Sequence, residues 1–248
     1  MPDVLQQLVE MSHYLGDPSL PYAIIGEGNT SARIDEDSFY IKASGTTLGT
    51  MTPDQFLPVS ISKVTGILDD PNAGDEDVTQ ALKDALLNPE ETRRPSVETM
   101  LHALLYAYPE YSFIGHTHPI ATNGILCSEN AREAAEGRTC PDHIVVTGHK
   151  SVFVPYVDPG LVLAREVRGR MRAFIEEEGV LPKTIMLENH GLIAMADTPK
   201  KVQNITDMSE KCAQIVIHAH SMGGVKFMTP EHVRRIDSRP DEKYRQKL

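Results

Sequence analysis

A short apolar segment that ends in two histidines constrains the fold of this chain most. Residues 111–118 read Tyr-Ser-Phe-Ile-Gly-His-Thr-His, a run of aromatic and branched residues that predicts a β-strand ended by Pro119. Because side chains at i and i+2 lie on one face of a strand, His116 and His118 would direct two imidazoles toward the same point. Imidazole nitrogens bind divalent transition metals, so the segment fits a metal site, with an ordinary buried or surface histidine pair as the alternative.

Two further segments carry candidate ligands. An apolar stripe with helical spacing begins at Val97 and predicts a helix over residues 97–108, with Glu98 at the edge of the stripe. If the carboxylate there is half desolvated, its pKa is raised unless a cation or metal compensates. The alternative is an exposed glutamate at the start of the helix, where the helix dipole favours a negative charge. Apolar strands on both sides of residues 188–191 place His190 on a tight hairpin, where a solvated histidine is the alternative. Together with His116 and His118, these residues form a candidate metal site.

The order of the predicted elements indicates an α/β fold. An amphipathic helix is expected over residues 4–15, and a long helix with Thr198 as its N-cap is expected to end near Met222. The strands are expected at residues 23–25, 30–34, 39–42, 111–118, 144–146, 151–157 and on both sides of His190. Because strands and helices do not alternate regularly, we predict a three-layer α/β/α domain with a central, mainly antiparallel sheet.

Size, charge and cysteine content narrow the class of protein. We expect one domain over residues 1–230, followed by a charged tail or intersubunit arm over residues 231–248. The 24 basic and 35 acidic residues give a net charge of −11, which argues against a nucleic acid or an anionic membrane as the main partner. No apolar run has membrane-spanning length, no signal-peptide pattern is present, and the cysteines form no Cys-x-x-Cys pair. We therefore expect a cytoplasmic protein.

Two loops rich in glycine and hydroxyl groups are candidates for anion binding. Residues 26–31 superficially resemble a dinucleotide-binding fingerprint, but the third glycine is absent and a strand follows instead of a helix. We expect instead that residues 28–31 and 42–47 form paired loops with backbone N–H groups and hydroxyls that suit an anion. Ser96 would add a hydroxyl at the start of the Glu98 helix. Ordinary turn chemistry of Asn, Ser and Gly is the alternative.

These motifs occur in the order found in the class II aldolase/adducin superfamily, which the chain resembles from about Gly26 to about Met222. The motifs are Gly28-Asn29-Thr30-Ser31, Ser44-Gly45-Thr46, Pro95-Ser96-Val97-Glu98, His116-Thr117-His118 and Glu188-Asn189-His190-Gly191. The segments around residues 94–102 and 149–156 most resemble the aldolase half of long L-rhamnulose-phosphate aldolase/alcohol dehydrogenase fusions. The resemblance implies the class II aldolase-like fold and a homotetramer with the site between subunits.

The resemblance also implies a set of site residues and a reaction. A zinc ion would be bound by His116, His118 and His190, with Glu98 near or on the metal. A small sugar phosphate would be bound through its phosphate by Asn29, Ser44, Gly45, Thr46 and Ser96. Zinc-stabilised enediolate chemistry would then cleave a ketose 1-phosphate into dihydroxyacetone phosphate and an aldehyde, with Glu98 exchanging the proton. The ligand types alone do not separate Zn²⁺ from Mn²⁺ or Co²⁺, although three imidazoles suit zinc.

The sequence also departs from the family pattern. Fuculose-phosphate aldolases resemble Pro-Ser-Ser-Glu, whereas Val97 replaces the second serine here and removes one phosphate donor. The tyrosine that family aldolases use as a proton donor has no clear counterpart, and Tyr244 is a candidate by position only. Epimerases carry aspartate at the Glu98 position, so glutamate favours cleavage. A decarboxylase, dehydratase or 4-epimerase with the same metal chemistry is the alternative, followed by a non-catalytic adducin-like interaction domain that would not need these ligands.

Overall fold

Seven strands form the central sheet of the protein, for which the computed structural model describes residues 3–245. The strands are β1 (Asn29–Arg33), β2 (Ser38–Lys42), β3 (Phe56–Ser60), β4 (Phe113–Thr117), β5 (Val152–Val154), β6 (Thr184–Leu187) and β7 (Gly191–Ala196). Their order is β3-β2-β1-β4-β7-β6-β5. The pairs β1–β2, β1–β4, β2–β3 and β6–β7 are antiparallel, and β5–β6 is parallel. The predicted α/β fold with a mainly antiparallel sheet flanked by helices is confirmed.

The helices account for most of the remaining regular structure. They are α1 (Val4–Leu15), α2 (Ile61–Thr65), α3 (Asp75–Asp84), α4 (Thr99–Leu105), α5 (Ile120–Leu126), α6 (Ala131–Glu136), α7 (Pro141–Thr147), α8 (Leu161–Glu178), α9 (Pro199–His220), α10 (Pro230–Ser238) and α11 (Pro240–Arg245). The predicted helices at residues 4–15 and from Pro199 onward are therefore confirmed. Among the described residues, no helix combines the length and the apolar character that crossing a membrane requires.

Two compact units make up the chain. The first unit contains β1 to β4 and extends through Thr117, with Val157–Gly169 and Met195–Val202 added. Its strand β1 lies between β2 and β4, and α1 packs on β1, where the hydroxyls of Ser12 and Thr30 are hydrogen-bonded at 2.6 Å. In the β1–β4 register Asn29 pairs with His116, so Asn29 is the neighbour of the first histidine on the adjacent strand.

The second unit contains His118–Tyr156, Arg170–Ala194 and the chain from Gln203 onward. It has its own apolar core, built from α5, α6, α9 and strands β5 to β7: Ala121, Ile125, Leu126, Ala131, Ala134, Ala135, Phe153, Met186, Leu192, Ala213 and Val216. Strands β6 and β7 form the predicted hairpin, in which Leu187 pairs with Gly191. His190 therefore lies in the tight connection, as expected.

Two of the predicted strands are wrong. Residues 144–146 belong to helix α7, which has a proline at its first position and ends at Gly148 with a φ of 86°. Three adjacent β-branched or apolar side chains favour a strand locally, but burial of Ile144 and Val145 on the helix decides the conformation. Residues 23–25 form no strand: residues 23 and 24 are irregular, and a turn begins at Ile25, which is 80% exposed and has a φ of 53°.

The expected start of the Glu98 helix is also wrong. Helix α4 begins at Thr99, and Glu98 is its N-cap. Val97 therefore precedes the helix and is 60% exposed, not part of the buried stripe. Side-chain spacing alone includes Val97 in the helical stripe. The chain at Pro95 is still extended, however, because it forms an antiparallel bridge with Ala43, and the helix begins only after this extended segment.

The charged C-terminal segment is helical where it is described. Helices α10 and α11 cover Pro230–Ser238 and Pro240–Arg245, and both contact α7. Tyr244 lies on α11, and its side chain is outside the part of the chain whose side chains are described. The division of the chain into a domain over residues 1–230 and a tail over residues 231–248 remains a prediction.

Candidate active site

A buried carboxylate stands at the junction of β1, β4 and α4. Glu98 is 8% exposed and its Oε2 accepts a 2.6 Å hydrogen bond from Nδ2 of Asn29. The same oxygen lies 3.3 Å from Nε2 of His116. The β1–β4 register explains the first two neighbours, because it places Asn29 opposite His116. The N-cap position of α4 then brings the Glu98 side chain to both of them.

A chain of hydrogen bonds behind Asn29 fixes the direction of its amide. Nε2 of His102 is bonded to Oδ1 of Asn29, and Nδ1 of His102 lies 2.6 Å from Oγ of Ser31. Because an amide oxygen only accepts, Nε2 of His102 donates and Nδ1 accepts from the Ser31 hydroxyl. Oγ of Ser31 then accepts from the hydroxyl of Tyr106, at 2.7 Å. Asn29 is thereby held with its NH₂ group toward Glu98.

His102 takes part in this chain as a neutral ring. It is 1% exposed, and burial lowers its pKa to about 3, with the nearby His116 as the second cause. His102 was not among the residues predicted for the site. In the sequence, His102 stands out only as a polar residue among the apolar residues of the predicted helix. Its burial and its hydrogen bonds, which give it a role, are visible only in the structure.

A buried lysine was also missed. Lys42, the last residue of β2, is 2% exposed and its Nζ donates to the carbonyl oxygen of Gly26 at 3.2 Å. Burial lowers the pKa of Lys42, and the nearby Glu98 carboxylate partly opposes this by raising it. In the sequence, Lys42 was visible only as a charge at the end of an apolar strand, directly before the Ser44 loop. The site thus contains a cationic group close to its carboxylate.

The segment that begins at Lys42 is paired with the segment before α4, whereas most of the other predicted loop, residues 28–31, belongs to strand β1. Residue Ala43 pairs with Pro95, the Ser44 N–H donates to the Arg94 carbonyl oxygen at 2.8 Å, and the Ser96 N–H donates to the Lys42 carbonyl oxygen at 3.3 Å. Because these two N–H groups already donate to backbone carbonyl oxygens, the groups of Ser44 and Ser96 that could donate to an anion are their hydroxyls.

The other residues predicted to bind the phosphate, Asn29, Gly45 and Thr46, lie around this pairing. Nδ2 of Asn29 lies 3.4 Å from Oγ of Ser96. Gly45 turns the chain with a φ of 80°, and the hydroxyl of Thr46 donates to the carbonyl oxygen of Ala43 at 2.7 Å. Gly45 and Thr46 therefore shape the loop that presents Ser44. The anion-binding role of all five residues remains a prediction.

The three predicted histidines form a group that could hold a metal ion. One ring nitrogen from each of His116, His118 and His190 lies within 4.8 Å of the other two. The rings of His118 and His190 meet edge to face, with centroids 5.4 Å apart. Three imidazoles are the donor set of several catalytic zinc centres, which keep one position open for water or substrate. The residues present therefore fit a divalent transition metal, and the adjoining carboxylate, lysine and amide suit chemistry at a polar small molecule.

Most of the chain is similar to known proteins. A family model described as the Class II Aldolase and Adducin N-terminal domain matches residues 6–217. The N-terminal class II aldolase domain of a conserved protein from Thermoplasma acidophilum superposes with a TM-score of 0.69 at 27% sequence identity. That superposition covers 88% of this chain and 95% of the other.

Two named relatives share sequence with the chain. An uncharacterized oxidoreductase of Bacillus subtilis, YuxG, is 27% identical over 246 residues, which are 93% of this chain and 32% of that protein. The chain thus spans about a third of the length of that relative. The methylthioribulose-1-phosphate dehydratase of Microcystis aeruginosa is 25% identical over 207 residues, which are 79% of this chain and 86% of that protein.

Proposed function

Because the chain belongs to the class II aldolase and adducin family, we propose that it is a zinc-dependent aldolase that cleaves a ketose 1-phosphate into dihydroxyacetone phosphate and an aldehyde. The observation that carries the proposal is the buried Glu98 carboxylate beside His116, one member of the three-histidine group. A non-catalytic interaction domain has no physical need for a desolvated carboxylate, a buried lysine and three convergent imidazoles. These groups are costly to bury unless they serve chemistry.

The metal would be held by His116, His118 and His190. When bound, the ion supplies a Lewis acid that stabilises negative charge as it develops on the oxygens of the substrate. Zn²⁺ suits three imidazoles best, and Mn²⁺ or Co²⁺ could replace it at these ligand types. The remaining steps fall to residues of the chain.

Glu98 is the proton-transfer group of the proposed reaction. As the carbon–carbon bond breaks, the hydroxyl on the departing carbon loses its proton to become the aldehyde oxygen, and the electron pair of the broken bond stays on the carbon next to the carbonyl group. Glu98 delivers a proton to that carbon and is reprotonated by the proton that the hydroxyl gives up. Nδ2 of Asn29 donates to Oε2 of Glu98 and Nε2 of His116 lies 3.3 Å from the same oxygen, so the carboxyl group is held in a fixed position for this transfer.

The phosphate of the substrate would bind at the paired loops. Asn29, Ser44, Gly45, Thr46 and Ser96 supply the neutral donors, and the Lys42 ammonium supplies positive charge in a chain that is otherwise strongly acidic. Val97 contributes no donor, and its exposed side chain lies next to Ser96. The proposal therefore assigns to Lys42 part of the attraction that the second serine provides in fuculose-phosphate aldolases.

Dehydration of a ketose 1-phosphate is the second candidate. The dehydratase of Microcystis aeruginosa carries such a sugar phosphate in its name and aligns over most of its length. Aldol cleavage and dehydration begin with the same substrate class and need the same stabilisation of negative charge, and they differ in the bond that breaks. Product identity therefore separates the two candidates.

The test is a product assay with a panel of ketose 1-phosphates that includes methylthioribulose 1-phosphate, with and without a chelator. Chelator-sensitive release of dihydroxyacetone phosphate supports the aldolase. Chelator-sensitive loss of water without that product selects the dehydratase. Turnover that persists after complete metal removal, or no turnover of any ketose 1-phosphate by metal-loaded protein, overturns the proposal. We further propose a homotetramer, which light scattering on the purified protein tests directly.

A further inference from the structure

Helix α5 begins two residues after His118 and is anchored by a buried carboxylate. Glu210, on α9, is 4% exposed. Its Oε1 accepts from the N–H of Ala121 at 2.9 Å, and its Oε2 accepts from the N–H of Thr122 at 2.9 Å and from the Thr122 hydroxyl at 3.0 Å. The first N–H groups of a helix have no acceptor within the helix, and a negative charge there also interacts favourably with the helix dipole. The chain that leaves His118 is therefore fixed to α9.

The same helix holds the turn that carries His190. Nδ2 of Asn123 donates to the carbonyl oxygen of His190 at 3.0 Å, and the carbonyl oxygen of Leu126 accepts from the N–H of Asn189 at 3.2 Å. Asn189 has a φ of 53°, a conformation that asparagine tolerates better than most residues. The hairpin turn is thus attached to α5 at two points, one in the middle and one at the end of the helix.

The direction of the Asn123 amide supports a specific role. Its Oδ1 is buried and has no hydrogen-bond partner among the described residues. Turning the amide over would bring Oδ1 against the carbonyl oxygen of His190, so the bond to His190 determines the orientation. A buried acceptor left without a partner costs free energy. The observed orientation therefore favours the bond to the His190 carbonyl oxygen over a partner for Oδ1.

From these contacts we propose that Glu210 and Asn123 are positioning residues that set the separation of His118 and His190 for metal binding. Neither acts on the substrate in this proposal: Glu210 fixes where α5 starts, and Asn123 ties His190 to α5. The proposal rests on the proposed metal site at the three histidines. Since both residues act on spacing, their loss should change metal affinity and coordination geometry more than it changes the fold.

The experiment measures metal binding by the purified apoprotein, with residues 1–248 all present. Co²⁺ titration reports coordination through its visible absorption bands, and competition with a chromophoric chelator gives Zn²⁺ affinity. We compare wild type with Glu210→Ala, Glu210→Gln, Asn123→Ala and the control Ser209→Ala. Ser209 neighbours Glu210 on α9, is buried, and donates only to the Ile205 carbonyl oxygen of its own helix among the described contacts. Thermal unfolding of each apoprotein verifies that the variants are folded.

We expect Glu210→Ala and Asn123→Ala to bind Zn²⁺ about 10- to 100-fold more weakly, with an altered Co²⁺ spectrum. Glu210→Gln retains one acceptor and should recover part of the affinity, and it stands in for Glu210→Ala if that variant does not fold. Wild-type affinity and spectrum in the alanine variants overturn the inference, and so does an equal loss in Ser209→Ala. Failure of the wild type itself to bind Co²⁺ or Zn²⁺ refutes the proposed metal site instead, so the two failures are distinguishable.

Discussion

Nδ2 of Asn29 lies 2.6 Å from Oε2 of Glu98, and this bond connects the sheet to the start of α4. The amide donates because His102 holds its oxygen from the other side. The relationship makes Asn29 more than a candidate phosphate ligand, since it also contacts the proposed proton-transfer group directly.

Asn29→Asp places a second carboxylate against Glu98. Two carboxylates at this distance cannot both ionise without repulsion, so the pair retains a proton to higher pH than Glu98 alone. We expect the acidic limb of the kcat–pH profile to move to higher pH and kcat at pH 7 to fall by about 100-fold. Asn29→Ala removes the donor without adding charge and serves as the control. An unshifted profile in Asn29→Asp would show that Asn29 does not control Glu98.

Glu98→Gln removes the proton-transfer function and preserves shape. Because three histidines remain, metal content should equal that of wild type, while turnover falls by about 10²- to 10⁴-fold. Metal analysis and a kcat measurement on the same preparation test the unchanged metal content and the lower turnover. Turnover at the wild-type rate would remove the acid/base role from Glu98.

His190→Ala deletes one of the three proposed metal ligands. The variant should lose the metal, and it should also lose the rise in melting temperature that added Zn²⁺ gives the wild type, because a ligand that binds only the folded state stabilises it. Calorimetry with and without Zn²⁺ is the measurement, with His218→Ala on α9 as the control. Full zinc occupancy in His190→Ala would contradict the ligand assignment.

The burial of His102 makes the stability of the apoprotein dependent on pH. Its folded pKa, about 3, lies below its unfolded value near 6.5, so the unfolded state binds more protons between these values. Stability from this group is complete above pH 6.5 and falls by about 1.4 kcal/mol per pH unit as the pH drops toward 3. In urea unfolding between pH 7 and pH 5, His102→Gln should lose about 2 kcal/mol less stability than wild type. An equal loss in both proteins would contradict the prediction.

Gly28 precedes β1 in the left-handed region, with a φ of 64°, and a Cβ there would lie 2.6 Å from the carbonyl oxygen of His116. Gly28→Ala should therefore lower the free energy of unfolding by two contributions, the strain of the left-handed backbone and the steric clash with the His116 carbonyl oxygen. Gly45, with a φ of 80° and nothing within 4 Å of a Cβ, is the matched control. We expect Gly45→Ala to cost about 1–2 kcal/mol and Gly28→Ala clearly more in urea unfolding. Equal costs would show that the contact with His116 relaxes freely.

Local patterns in the sequence were sufficient for the parts of the site that belong to one element. The strand before His118, the hairpin around His190 and the long helix from Pro199 follow from side-chain periodicity and from proline and glycine signals a few residues away. The same reasoning failed at residues 144–146, where branched side chains favoured a strand but packing produced α7. Local propensity is a small term that burial readily overrides.

The tertiary structure decided every relationship between distant residues. Lys42 becomes a buried cation, His102 becomes the group that orients Asn29, and Glu210 becomes the anchor of α5 only because strands and helices far apart in sequence are packed together. A buried polar group takes its role from its partners, since burial without them costs more than a hydrogen bond returns. The amino-acid sequence alone therefore indicated the histidines and Glu98 as candidates for the chemistry. The packing of the fold added Lys42 and His102 to them and determined which residues act on one another.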